Sequence, residues 1–154
     1  MEFLNQHYEL TLREGLEELY RHNPEVVSVS KAKGKIFIDH DLTHIIFGCD
    51  TSIFGELLLK PWILLGCEIS MNELKEYAAD PEVQKLNKEG EALLGGKILG
   101  TLKIVFYYIP QFFWIWLTHV RKMSRKRPHL ALTEEMLDTK ICGLRTEYKI
   151  SVLI

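Results

Sequence analysis

Cysteine is scarce in this chain and carries no pattern. Cys49, Cys67 and Cys142 make an odd count with no CxxC among them. That excludes a disulfide framework and suits buried thiols in a reducing compartment. Charge of one sign is also lacking: 19 Lys and Arg stand against 21 Asp and Glu, a net −2. Such a chain has no general attraction to nucleic acid, so no nucleic-acid partner is expected and any basic surface has to be local. The first residues, MEFLNQHYELTLREGLEELYR, have neither a basic opening nor a continuous apolar stretch. They are too acidic for a transit peptide, so neither a signal nor a transit peptide is expected and the location expected is cytoplasmic. There is no internal repeat and no low-complexity segment. Alternation with period two is almost absent, which leaves an all-α reading. The uncharged run at 104–118 is fifteen residues, interrupted by Pro110. It falls short of the roughly 20 residues that a spanning helix needs.

What is present fits one compact helical domain over residues 1–154, with 47% hydrophobic and 26% charged residues, long enough for a substantial core. Leu12, Leu16, Leu19 and Tyr20 recur at helical spacing, and Asn23-Pro24 ends that pattern. Residues 25–35 read as a connector, with Val26, Val27 and Val29 tucked in and Gly34 at its exit. A helix is expected over about residues 36–47, with Ile38, Leu42, Ile45 and Ile46 as its apolar stripe. The next spans about residues 52–65, kinked or split at Pro61. Ser70 or Asn72 caps a short helix to Ala79, and Asp80-Pro81-Glu82 starts another. In the tail, Thr133 caps one more short helix to Leu137.

The centre of the chain's chemistry is His40-Asp41-Leu42-Thr43-His44, with Glu56 coming after eleven further residues. Histidines at i and i+4 share a helix face, and Asp41 sits on its flank. In one straight helix Glu56 would lie about 18 Å beyond His44, too far for a shared ion whose ligands stand about 2.0–2.2 Å from it. The sequence supplies a break. Gly48 suits a left-handed helix stop, and Asp50, Thr51 or Ser52 can cap a new start. Helix, tight turn and helix then bring His40, Asp41, His44 and Glu56 into one metal motif.

The second informative stretch lies at residues 90–127. Gly90, Gly95, Gly96 and Gly100 precede the aromatic run, where small residues permit close helix contact or access for a long ligand. Trp114 and Trp116 stand just before the cations Arg121, Lys122, Arg125, Lys126 and Arg127. Indole rings suit the headgroup zone, and each cation near an anionic surface adds about 1 kcal/mol. These seven residues are the expected contact with an anionic membrane surface.

The stretch HDLTHIIFGCDTSIFGE resembles the HDxxH-x11-E pattern of the Coq4 family of ubiquinone-biosynthesis proteins, including Gly48 and the pair Gly55-Glu56. Arg145 and Ile150 resemble the Arg-x4-Ile ending of that family. The resemblance implies an all-helical protein peripheral to the inner (cytoplasmic) membrane. It implies a divalent metal, zinc first, with iron, cobalt and magnesium open. It also implies a prenylated quinone precursor or other isoprenoid lipid as ligand, with oxidative decarboxylation at C1 of the head group as the associated activity. Other quinone-biosynthesis proteins and a second copy of the chain are the expected protein partners. A metal on His40, His44 and Glu56 would act as Lewis acid and template. Asp41 would be a fourth ligand or would fix an imidazole tautomer. The metal face and the aromatic segment are expected to line one site.

Two alternatives stay open at the level of sequence. One is a non-catalytic, metal-stabilised carrier of prenyl lipid or quinone, or an assembly scaffold. The other is a metallohydrolase in which Asp41 is catalytic, standing where HExxH enzymes carry their general-base Glu.

Overall fold

The computed structural model describes the chain apart from Glu25, residues 28–34, Arg125, residues 129–133 and Ile154. The expected positions Val29, Gly34 and Thr133 therefore lie outside the described residues. The fold is all-α. Its helices are α1 (Leu12–His22), α2 (Lys35–Phe47), α3 (Ile53–Pro61), α4 (Met71–Ala79), α5 (Pro81–Leu93), α6 (Gly96–Lys103), α7 (Ile109–Thr118), α8 (Glu134–Leu137) and α9 (Ile141–Tyr148). Extended structure is confined, among the described residues, to Cys67–Glu68 (β1) in parallel register with Arg127–Pro128 (β2), and an isolated bridge between Thr11 and Lys140.

Local chemistry sets most boundaries. Thr11 and Glu14 form a capping box at α1, and Ser70 and Glu73 form another at α4. Each satisfies two backbone donors that a helix start leaves open. Ser52 caps α3 by accepting from the Gly55 amide at 3.1 Å. Pro61 does not end its helix outright. A π-helical turn, Trp62–Gly66, takes over directly behind it, and such turns relax the i→i−4 ladder that proline disrupts.

The helix α2 is the core of the molecule. Every residue from Asp39 to Phe47 is buried, enclosed by α1, α3, α9 and the 3-10 turn Glu2–Leu4. An apolar stripe of Ile38, Leu42, Ile45 and Ile46 was the expectation; instead α2 is covered on all sides over residues 39–47. Leu12, Leu19, Leu42, Ile45, Phe47, Leu59, Trp62, Ile115 and Ile141 pack into one cluster. Trp62 stacks on Phe47 with ring centroids 4.8 Å apart.

The second half differs more from expectation. Gly95 and Gly96 take positive φ values of 101° and 83° and separate α5 from α6. From there helix continues through a π-turn, Ile104–Tyr108, into α7. Pro110 comes just behind that π-turn, whose relaxed ladder accommodates the missing amide, so it does not interrupt the rod. One helix of 25 residues, Ile98–Lys122, is thus long and apolar enough to cross a membrane by length and composition, its most apolar 18 residues having a mean hydropathy of 1.4. Only 12% of its apolar window is buried, so it is not a core helix. The tail adds α9, which its mixed composition and Gly143 concealed.

Candidate functional site

The turn after α2 creates the site. Gly48 has φ 66°, a conformation costly for residues with a Cβ. A Cβ there would also stand 2.7 Å from Val152 Cγ1. Gly55 is needed for a different reason, since a Cβ on it would meet the Asp50 carbonyl oxygen at 2.0 Å. The Asp50–Ser52 turn can therefore fold tightly onto α3. Asp50 Oδ1 accepts from the Ser52 amide at 3.0 Å and from its hydroxyl at 2.5 Å. The result places Glu56 against the histidine face of α2.

His44 Nε2 lies 3.2 Å from His40 Nε2 and 3.1 Å from Glu56 Oε1. His40 Nε2 lies 3.5 Å from Glu56 Oε2. For bonds of about 2.0–2.1 Å, tetrahedral ligand atoms stand roughly 3.3 Å apart; here the two histidines reach different oxygens of Glu56, and one ligand atom from each residue lies within 4.8 Å of the others, so the group could hold a metal ion. The three residues fit a metal ion. The His44 side chain is 1% exposed and that of Glu56 39%, so the site is closed behind His44 and open beside Glu56.

Compared with family models, with curated proteins and with solved structures, the chain matches none. The functional reading therefore rests on the site itself.

Around the donors, orientation is set by backbone. The Nδ1–H of His44 donates to the Cys49 carbonyl at 3.3 Å, which leaves Nε2 facing the donor cluster. The Thr43 hydroxyl donates to the His40 carbonyl. Below the site, Arg145 is fully buried. Its Nε donates to Ile46 O at 2.9 Å and its Nη2 to Ile45 O at 2.8 Å and Phe3 O at 2.6 Å. Its Nη1 donates to Asn5 O at 2.5 Å. These bonds satisfy carbonyls that the end of α2 leaves open and put a cation at its negative pole. Burial pulls the guanidinium down to about 10. Arg145 was legible only as part of a tail pattern; its role is to anchor the motif helix.

Electrostatics link His44 and Glu56. Burial opposes charge on the His44 ring, but the hydrogen bond and charge of Glu56, with Asp41 and the Cys49 carbonyl behind, raise its pKa above the usual value. Burial likewise opposes ionisation of Glu56, and hydrogen bonds and charge from His40 and His44 outweigh it, holding the carboxyl far below its usual range. A positive charge, proton or metal, is what this cluster favours.

Asp41 is buried, and its Oδ2 accepts from the Tyr20 hydroxyl at 2.9 Å. The candidate ligand group comprises His40, His44 and Glu56. Sequence reasoning missed Tyr77. Its hydroxyl lies 3.3 Å from His40 Nε2, and its ring packs 5.2 Å from the His40 ring. Burial, then the charges of Glu56, Asp41 and Asp80, keep its phenol protonated well above the usual range. The only sequence signal was an aromatic on the helix after the motif.

The expected membrane contacts are split. Trp114 is 56% exposed, with Phe106 and Tyr107 more so. Trp116 is half-buried against the core, with the Arg121 guanidinium 5.7 Å over its ring. Lys122 and Lys126 are exposed, Arg127 enters β2, and Arg125 lies outside the described residues.

A cavity of about 810 Å³ lies between α3 and the α6–α7 rod, lined by Phe54, Leu57, Leu58, Leu94, Tyr108 and Trp114, with Lys103 and Gln111 among its polar groups. None of the metal donors lines it. On α3, Phe54, Leu57 and Leu58 point roughly 100–200° away from Glu56 around the helix. The aromatic segment therefore lines a cavity on the far side of α3 from the histidines, not one shared site. Helical phase is the reason.

Proposed function

We propose that the chain is a divalent-metal protein of the membrane surface that binds and acts on a prenylated quinone precursor, as the Coq4 resemblance implies, with oxidative decarboxylation at C1 as the associated step. The observation that carries the metal part is the convergence of two imidazole nitrogens and a carboxylate at ligand spacing, with the Glu56 side open. Zinc is the first candidate from the resemblance. A divalent ion there would supply Lewis acidity and a template for a head-group oxygen. His40, His44 and Glu56 would hold it. The Cys49 carbonyl would fix the His44 tautomer, and Asp41, steadied by Tyr20, would add negative charge near His44. The lipid part is supported by the exposed aromatic rod and by the apolar cavity beside it. Exposed apolar area of this extent marks an interaction surface, and the adjoining cations favour an anionic membrane.

One observation favours the carrier or scaffold reading. The cavity and the metal donors occupy opposite sides of α3, and the Tyr108 hydroxyl is buried without a hydrogen-bond partner among the described residues. A lipid seated there needs no metal. Elemental analysis and mass spectrometry of the purified protein and of His44→Ala separate the two. The enzyme reading expects metal and a prenyl lipid in the parent, and loss of the metal in the variant together with weakened lipid retention. Lipid retained at full level without metal supports the carrier. A metal content unchanged by His44→Ala refutes the site.

A further inference from the structure

Resting on the metal reading above, we propose that Tyr77 is a binding residue of the centre: its phenol donates a hydrogen bond to a carboxylate that takes the ion's open position. The motif does not contain this residue. It arrives from α4, whose approach to α2 is made by the Tyr77 ring against His40 at 5.2 Å and Phe37 at 6.0 Å.

A single lone pair decides what the phenol can bind. In the structure the Tyr77 hydroxyl lies 3.3 Å from His40 Nε2, within hydrogen-bond reach. That nitrogen is also the one 3.2 Å from His44 Nε2 and 3.5 Å from Glu56 Oε2, so it faces the position of the ion. A neutral imidazole has only one acceptor nitrogen. When that nitrogen binds a metal its lone pair is taken and it accepts nothing from the phenol, while ring packing holds the hydroxyl in place. Among the described residues that hydroxyl bonds to neither His44 nor Glu56. The acceptor within its reach is then an oxygen of whatever the ion binds next. Two imidazoles and one carboxylate leave a divalent ion with net positive charge, which selects an anionic oxygen ligand. A carboxylate offers one oxygen to the ion and a second to the phenol.

The test uses cobalt(II) in place of the native ion and acetate as the carboxylate probe, read by the visible absorption of cobalt. The parent protein and Tyr77→Phe, which keeps the ring contacts, are compared. Cobalt stoichiometry, the cobalt spectrum before acetate and the thermal midpoint are expected to match. The dissociation constant for acetate is expected to rise about tenfold to a hundredfold in the variant, the size of a hydrogen bond to a charged group. Equal acetate affinity in the two proteins overturns the proposal and leaves the metal centre standing. A changed cobalt spectrum before acetate also overturns it, because Tyr77 is then a ligand. A parent protein that takes up no cobalt refutes the centre itself and the proposal with it.

Discussion

Replacing Glu56 with Gln keeps the shape of the side chain and removes the charge that joins α3 to the histidine face. In the parent, a metal present at about a thousand times its dissociation constant stabilises the fold by about 4 kcal/mol. For a domain of this size that is roughly 8–16 °C in thermal midpoint. Structural zinc sites bind with about 10–16 kcal/mol over four ligands, so one lost donor weakens binding by about 3 kcal/mol, or roughly a hundredfold. At the same metal concentration the excess drops to about tenfold and the stabilisation to about 1.4 kcal/mol, a shift of roughly 3–6 °C. Differential scanning fluorimetry with and without zinc reads this directly. The metal-free proteins supply a control through pH. The raised pKa of His44 contributes stability that is complete below its unfolded value of about 6.5 and is lost as pH rises through the folded value. The lowered pKa of Glu56 contributes stability above about 4.5, lost as pH falls through its folded value. Metal-free Glu56→Gln should therefore be most destabilised between about pH 4.5 and 6.5 and recover toward the parent at higher pH, with solvent around Glu56 reducing the size of the effect. An equal zinc-induced shift in parent and variant would refute the placement of Glu56 on the ion.

Arg145→Met should lower stability by about 3–6 kcal/mol, because four backbone carbonyls lose a charged donor at about 1–3 kcal/mol each, with partial replacement by other partners. A stability from urea unfolding within about 1 kcal/mol of the parent would show that Arg145 does not hold α2. Membrane association should be electrostatic in part: changing Arg121, Lys122 and Lys126 to Gln should weaken binding to anionic vesicles by up to about 3 kcal/mol at low salt. Salt should mimic the change, since these charges are screened over about 8–10 Å. Binding to neutral and anionic vesicles with the same affinity at all salt concentrations contradicts that role.

The helical class, the Gly48 break and the return of Glu56 to the histidines were legible in the chain before any packing was known. These come from local rules: i and i+4 residues share a face, glycine admits positive φ, and Ser52 and Ser70 cap the helices that begin directly after them. Pro61 was legible as a disturbance for the same reason. Local rules could not show that α2 is enclosed on every side, because that depends on α1 and α9 meeting it from distant parts of the chain. Nor could they show that Arg145 spans about a hundred residues of sequence to fasten the end of that helix, or that Tyr77 reaches His40. Pro110 read as an interruption because its neighbours in sequence were visible and the π-turn that accommodates it was not. Tertiary structure alone decided which side of α3 meets the histidines and which meets the aromatic rod. Both segments are apolar enough to pack anywhere, and the rotation of Phe54, Leu57 and Leu58 away from Glu56 separates the cavity from the metal donors.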